Sequence, residues 1–453
     1  MIFGMKETFI DSILAIPIIG RIVNSPIGRR LLFGAFWSGF GTIIARGLSV
    51  VASFCVARFC GKEAFGEYGM VINTAAMLST VCGMGMGSTV VKYVAELRER
   101  NPARASGILA LTTCVTWVAG ILIGGLFMLL ADWIAVRMLA APHLANLLRI
   151  AAAGVVLGIF NEVQMSSLTG CEAYKDRAKI TVLTGIFQAV LLIVASYLWG
   201  LKGAVAGYSA SYIWMVALTT WFMRPVWRKF NLRRDYSIMT KEWRVLFSFG
   251  LPTILLLFLG MPVSWFTRTL LAKVPDGYNQ LAIINAATPW SGLIMFLVTT
   301  ACTALVPIIS DLVGKGENGR ALEVVWKALR YNACVVIPIC LGLSLAAPLI
   351  LRFYGSAFVS GALIFSVMMW ASGLGTIYQP MWNYLVGAGM MWTNFVIVFV
   401  TACLQIALAW YMVRWGGFGL ASASLVVTVL RLIILICLFA VLARVLVQRG
   451  GCK

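Results

Sequence analysis

The sequence predicts an all-α integral membrane protein, with twelve transmembrane helices in two pseudo-symmetric six-helix lobes around a central cavity. Three observations carry this. First, 61% of the 453 residues are hydrophobic and 11% are charged, whereas a soluble domain carries about 25% charged residues. The mean hydropathy is +0.93, so there are too few charges to coat a water-exposed surface. Second, the apolar segments are long and continuous. Hydrocarbon admits only helices or closed barrels, because an unpaired backbone group costs several kcal/mol there. Continuous runs of about 20 residues specify helices, and alternating runs of about 10 specify barrel strands. Third, the chain repeats itself at a nearly constant offset.

Residues 1–30 open the chain. Asp11 and Pro17 interrupt their apolar stretch and no small-residue cleavage site follows, which predicts an interfacial helix on the cytoplasmic face rather than a signal peptide. Six apolar runs follow at 31–57, 66–91, 107–130, 146–169, 178–199 and 203–223, giving an N-lobe over 31–223. The basic segment 224–244 is the longest between spans and is expected to be a cytoplasmic linker. A C-lobe over 245–445 holds runs at 245–271, 281–306, 330–351, 357–386, 391–413 and 417–445, and 446–453 forms a tail. With the N-terminus inside, 25 Lys and Arg fall on the cytoplasmic side and 9 on the other. This bias places both termini in the cytoplasm of a multi-pass membrane protein. It also accounts for the net charge of +20 as a topological signal, and nucleic acid is not an expected partner.

The repeat spans the two halves. Ile72-Asn73-Thr74-Ala75 matches Ile284-Asn285-Ala286-Ala287, and Arg104-Ala105 matches Arg320-Ala321. Gly170 matches Gly387, and Trp199-Gly200-Leu201-Lys202-Gly203 matches Trp415-Gly416-Gly417-Phe418-Gly419. The offsets run from 212 to 217. Six spans return each half to the side it started from, so the halves are related by an axis along the membrane normal.

Charges inside spans are the informative residues, because each costs at least about 2.5 kcal/mol at a helix centre. Arg46 lies about 15 residues into the first span and Arg431 is similarly deep in the twelfth. Glu162 is the only acidic residue well inside a span. It is the candidate for H⁺ or Na⁺ coupling, or for a structural ion pair with Arg46 or Arg431. Arg58, Arg268 and Arg352 stand at outer span ends, where they either snorkel to headgroups or line a cavity mouth. Asn73 and Asn285, polar residues of the matched spans, complete the candidate diphosphate- and sugar-binding set. Cations with almost no acids indicate an anionic substrate, since arginine grips phosphate bidentately and keeps its charge when desolvated. Trp290, Trp370 and the stretch Tyr378–Asn383 could meet sugars, although tryptophan and tyrosine are also ordinary interface residues. The 11 cysteines show no metal-ligand spacing and the lone His143, in a loop, is expected to have no role; no cofactor or metal is implied.

Several stretches resemble a known family. Ala57-Arg58-Phe59-Cys60-Gly61-Lys62-Glu63-Ala64-Phe65-Gly66-Glu67-Tyr68-Gly69 resembles the loop after the first span in polysaccharide transporters of the multidrug/oligosaccharidyl-lipid/polysaccharide exporter superfamily. Gly83-Met84-Gly85-Met86-Gly87-Ser88-Thr89, running on to Lys92-Tyr93-Val94-Ala95-Glu96-Leu97, is similar to the end of their second span. Phe249-Gly250-Leu251-Pro252 and Ala304-Leu305-Val306-Pro307-Ile308-Ile309-Ser310 also fit. The resemblance implies an O-antigen-type flippase with twelve helices in two lobes. Its substrate would be an undecaprenyl-diphosphate-linked oligosaccharide, turned from the cytoplasmic to the periplasmic leaflet of a bacterial inner membrane among membrane lipids, with polysaccharide polymerase machinery as a partner. A drug exporter of the same fold would need acidic residues in its lobes, and a lipid-II-type flippase commonly has two further helices. An enzyme acting on the same lipid would need a long external loop, which the spans do not leave.

Overall fold

A computed structural model describes residues 26–83, 85–234, 236, 239, 259–302 and 305–450. Residues 1–25 of the expected interfacial helix, the end of the linker, and the opening of the seventh span with Phe249–Pro252 lie outside the described residues. So do Ala304 and the last three residues of the tail.

Among the described residues the elements are helical throughout. In chain order they are α1 (Pro26–Cys60), α2 (Lys62–Gly83), α3 (Met86–Leu97), α4 (Pro102–Trp133), α5 (Ala145–Gly170), α6 (Tyr174–Lys229) and α7 (Met261–Ala272). They continue as α8 (Gly277–Cys302), α9 (Leu305–Gly314), α10 (Asn318–Leu345), α11 (Ala347–Tyr354), α12 (Ala362–Ile377), α13 (Gln379–Gly387), α14 (Met391–Met412) and α15 (Gly416–Gly450). Seven helical runs among the described residues are long and apolar enough to cross a bilayer. Two of these, Tyr174–Lys229 with 56 residues and Met391–Leu442 with 52, would reach about 80 Å if straight. That is more than twice the roughly 30 Å of hydrocarbon.

Both double back, and at matched glycines. Gly200 has φ 57° and ψ −136°, and Gly416 has φ 64° and ψ −144°, a region that side chains with a Cβ avoid. Three residues on, a Cβ at Gly203 would overlap the Ala195 carbonyl, and a Cβ at Gly419 would overlap the Met412 carbonyl. The Trp-Gly-x-x-Gly repeat is thus one tight hairpin built twice. A second pair of sites agrees. α5 ends at Cys171 (φ −81°, ψ 0°) and α13 at Ala388 (φ −82°, ψ 0°), each followed by a left-handed residue, Glu172 (φ 58°) or Gly389 (φ 72°). The amide of Ala173 then donates to Leu168 O at 2.9 Å and that of Met390 to Leu385 O at 2.8 Å, the helix-terminating pattern that satisfies end carbonyls. Gly170 nests against Val91 and Val94 of α3, as Gly387 nests against Val306 and Ile309 of α9.

The halves of the chain meet where α2 packs on α8. Gly66 and Gly69 admit the partner helix, since a Cβ would overlap the Tyr278 carbonyl at the first and the Asn285 side chain at the second. Hydrogen bonds cluster at this end of the molecule. Asn285 Nδ2 donates to Gly66 O at 3.3 Å, the Tyr278 hydroxyl to Leu139 O at 2.7 Å, and Lys62 Nζ to Ala357 O at 2.9 Å. Ser53 Oγ and the Tyr354 hydroxyl lie 3.0 Å apart. Overfilling such a contact costs typically about 1–3 kcal/mol. Gly66→Val is therefore expected to spread the α2–α8 seam with helix content unchanged. Cysteines placed at Lys62 and Ala357, in a background cleared of native cysteines, should cross-link readily through a short bismaleimide in the parent and poorly in the variant.

Candidate anion-binding cavity

α7, α8, α12, α14 and α15 line a cavity of ≈ 260 Å³ that Arg268 and Arg431 share, and no aspartate or glutamate is among its lining residues. Arg431 is held by Thr401. The Thr401 hydroxyl donates to Ile397 O at 2.7 Å and its lone pairs accept from Arg431 Nε, at 3.1 Å, and from Nη2. Arg431 Nη1 also donates to the Tyr378 hydroxyl at 3.3 Å. Arg268 Nη1 donates to Asn285 Oδ1 at 3.1 Å. A guanidinium carries five N–H donors, so both arginines keep donors beyond these bonds. Their partners are neutral. Two cations lining one hollow, with no acidic side chain among its lining residues, repel each other and attract an anion.

Asn285 extends the site. It accepts from Arg268 and donates to Gly66 O across the seam. A cavity-lining arginine and the junction of the two halves therefore share one side chain.

The other expected residues lie elsewhere. Arg46 crosses from α1 to α8. Its guanidinium occupies the space that a Cβ at Gly292 would need, and its Cζ lies 5.8 Å from the centroid of the Phe296 ring. Its Nε is buried without a hydrogen-bond partner. Asn73 Oδ1, on α2, is likewise buried and unpaired. The ion pair between Glu162 and a deep arginine is not formed. Glu162 stands against Gly83 and Gly87, where α2 gives way to α3, and it makes no ion pair among the described residues. Arg58 donates from Nε to Phe353 O at 2.8 Å, so it ties α1 to α11 at the seam, and the exposed Arg352 lies on α11 beside it. His143, expected to have no role, pairs with Glu67 at 2.7 Å. Sequence reasoning missed Thr401, a residue that reads as β-branched filler in an apolar run. Its signal was the polar pair Thr401 and Gln405, one helical turn apart.

Anything that binds only the folded state raises its melting temperature. Millimolar pyrophosphate is expected to raise the Tm of the detergent-solubilised protein and to leave the Arg268→Gln/Arg431→Gln double variant unmoved, as read by thermal unfolding. An equal rise in both would place the anion elsewhere.

Comparison with known proteins bears on the family and the fold. Residues 31–313 match the family model described as polysaccharide biosynthesis protein. The chain is 23% identical over 411 residues to the EPS I polysaccharide export inner membrane protein EpsE of Ralstonia nicotianae, covering 88% of this chain and 91% of that one. Among solved structures, the lipid II flippase MurJ in an inward closed conformation superposes with a TM-score of 0.70 at 16% identity, over 89% of this chain and 87% of that one. An inward-facing multidrug resistance MATE family transporter of the MOP superfamily gives 0.65 at 15% identity, over 90% and 99%. These two likenesses establish a shared fold. The family match covers more than half of the sequence, and the chain belongs to the polysaccharide biosynthesis protein family.

Proposed function

We propose that this protein is a flippase that carries an undecaprenyl-diphosphate-linked oligosaccharide from the cytoplasmic to the periplasmic leaflet of the bacterial inner membrane by alternating access. The observation that carries the reading is the pairing of Arg268 and Arg431 in one acid-free cavity. A diphosphate supplies the missing counter-charge and accepts bidentate bonds from both guanidiniums. The export role in the name of the Ralstonia relative supports the same reading.

In this reading the long runs that double back at Gly200 and Gly416 each count as two crossings, α2 with α3 counts as one, α7 (as the end of the seventh span) and α8 count as one each, and the chain has twelve spans in two six-helix lobes. Both termini are cytoplasmic, which makes the α2–α8 seam a periplasmic seal. The lipid enters from the cytoplasmic side, its diphosphate settles between the arginines, and its tail stays in the bilayer. Bonds from Arg268 to the phosphate compete with its bond to Asn285. Asn285 then loses its hold on Gly66, and the seal opens outward. The membrane potential assists, since moving one charge through 100 mV is worth about 2.3 kcal/mol and the interior is negative. Glu162 is the acid available for H⁺ or Na⁺ coupling, and the released lipid passes to polysaccharide polymerase machinery. A cation-coupled drug exporter of this fold is disfavoured because the cavity offers a cationic drug no carboxylate.

In proteoliposomes loaded with lipid-diphosphate oligosaccharide, wild type is expected to expose the sugar to an added lectin. Arg431→Ala and Arg268→Ala should slow exposure by about tenfold or more, in keeping with a lost charged hydrogen bond. Asn285→Ala should slow exposure while leaving binding of the lipid intact. Exposure no faster than in empty vesicles would reject the flippase reading.

A further inference from the structure

The first half of the chain holds a second cavity of nearly the same size, ≈ 250 Å³ against ≈ 260 Å³. The repeat relates their walls. Thr401, Gln405 and Arg431 of the arginine cavity stand 217, 217 and 216 positions after Thr184, Gln188 and Met215 of the other. A threonine and a glutamine one helical turn apart therefore frame both hollows, on α6 and on α14. The arginines do not repeat. Met215 occupies the place of Arg431, and the buried Val56, 212 positions before Arg268, occupies the place of Arg268.

What is left is a neutral, hydroxyl-rich hollow with no charged residue among its lining. The Thr184 hydroxyl is committed to Ile180 O at 2.7 Å, and the Tyr208 hydroxyl lies 2.8 Å from that of Tyr212. Ser49, Tyr68 and Gln188 also line the hollow, and their side chains make no hydrogen bond among the described residues. The Gln188 carboxamide offers two donors and an acceptor, and the tyrosines offer ring faces. Pyranose rings present hydroxyls at their edges and C–H groups on their faces, and so match both. A diphosphate would find no cation here, and a cation would find no carboxylate.

We propose that this first-half cavity is a subsite for a neutral sugar ring of the lipid-linked oligosaccharide, with Gln188 as its principal hydrogen-bonding group and Tyr68 and Tyr208 as its apolar wall. The assignment rests on the flippase reading and deepens it. One repeat unit, used twice, would divide the head group into a charged part and a neutral part.

The test uses the full chain in nanodiscs and two probes, bare undecaprenyl diphosphate and the diphosphate-linked oligosaccharide lipids extracted from the source bacterium. Wild type is expected to bind the oligosaccharide lipids at least about tenfold more tightly than the bare lipid, the scale of a well-made polar contact. Gln188→Leu should abolish that preference without changing affinity for the bare lipid. Ser49→Ala, a small change that should not disturb folding, should reduce the preference. Arg431→Gln should weaken both probes. Should wild type show no preference, or both first-half variants keep it, the subsite is wrong. If the bare lipid fails to bind wild type while the oligosaccharide lipids bind in a Gln188-dependent way, the diphosphate assignment falls and the sugar subsite stands.

Discussion

A cation inside a bilayer must be met by something, and this chain holds almost no carboxylates within its spans to meet it. Arg431 is satisfied by the hydroxyls of Thr401 and Tyr378, and Arg268 by the carboxamide of Asn285. These neutral partners orient the guanidiniums without cancelling their charge. An ion pair would have neutralised the site, and removing either partner of such a buried pair is costly. In the proposed function the cavity is organised in advance for an anion that its lining residues do not provide.

The same economy of side chains links binding to shape. Asn285 has one oxygen toward Arg268 and its nitrogen toward Gly66 of the first half. Its position is possible only because Gly69 leaves room for its side chain, as Gly66 does for the neighbouring turn of α8. Close helix approach, a glycine property, and the orientation of a cavity arginine thus converge on one residue. A change at the arginine need not travel far to reach the seam.

Much of the fold was legible because its constraints are local. The Trp-Gly-x-x-Gly hairpins need a glycine at positive φ and a second glycine where the return helix passes, so the pattern survives in both halves. The helices follow from continuous apolar runs. The site was legible only in part. Arg268 and Arg431 stood out by charge and depth, but nothing in the sequence brings together two residues 163 positions apart. Nor does spacing reveal that Asn285 bridges to Gly66, that Arg58 serves the seam, or that His143 finds Glu67. Those are long-range packing outcomes. Arg46 shows the limit of a depth argument, since its depth was read from α1 alone and its neighbours come from α8.

The proposed function turns on a diphosphate lying between Arg268 and Arg431. Cryo-electron microscopy of the protein in nanodiscs with undecaprenyl diphosphate would locate it. Density for both phosphates is expected within hydrogen-bond distance of the two guanidiniums, with Arg268 drawn away from Asn285. Phosphate density beside Arg46, with the Arg268 and Arg431 cavity empty and the Arg268–Asn285 bond intact, would contradict it.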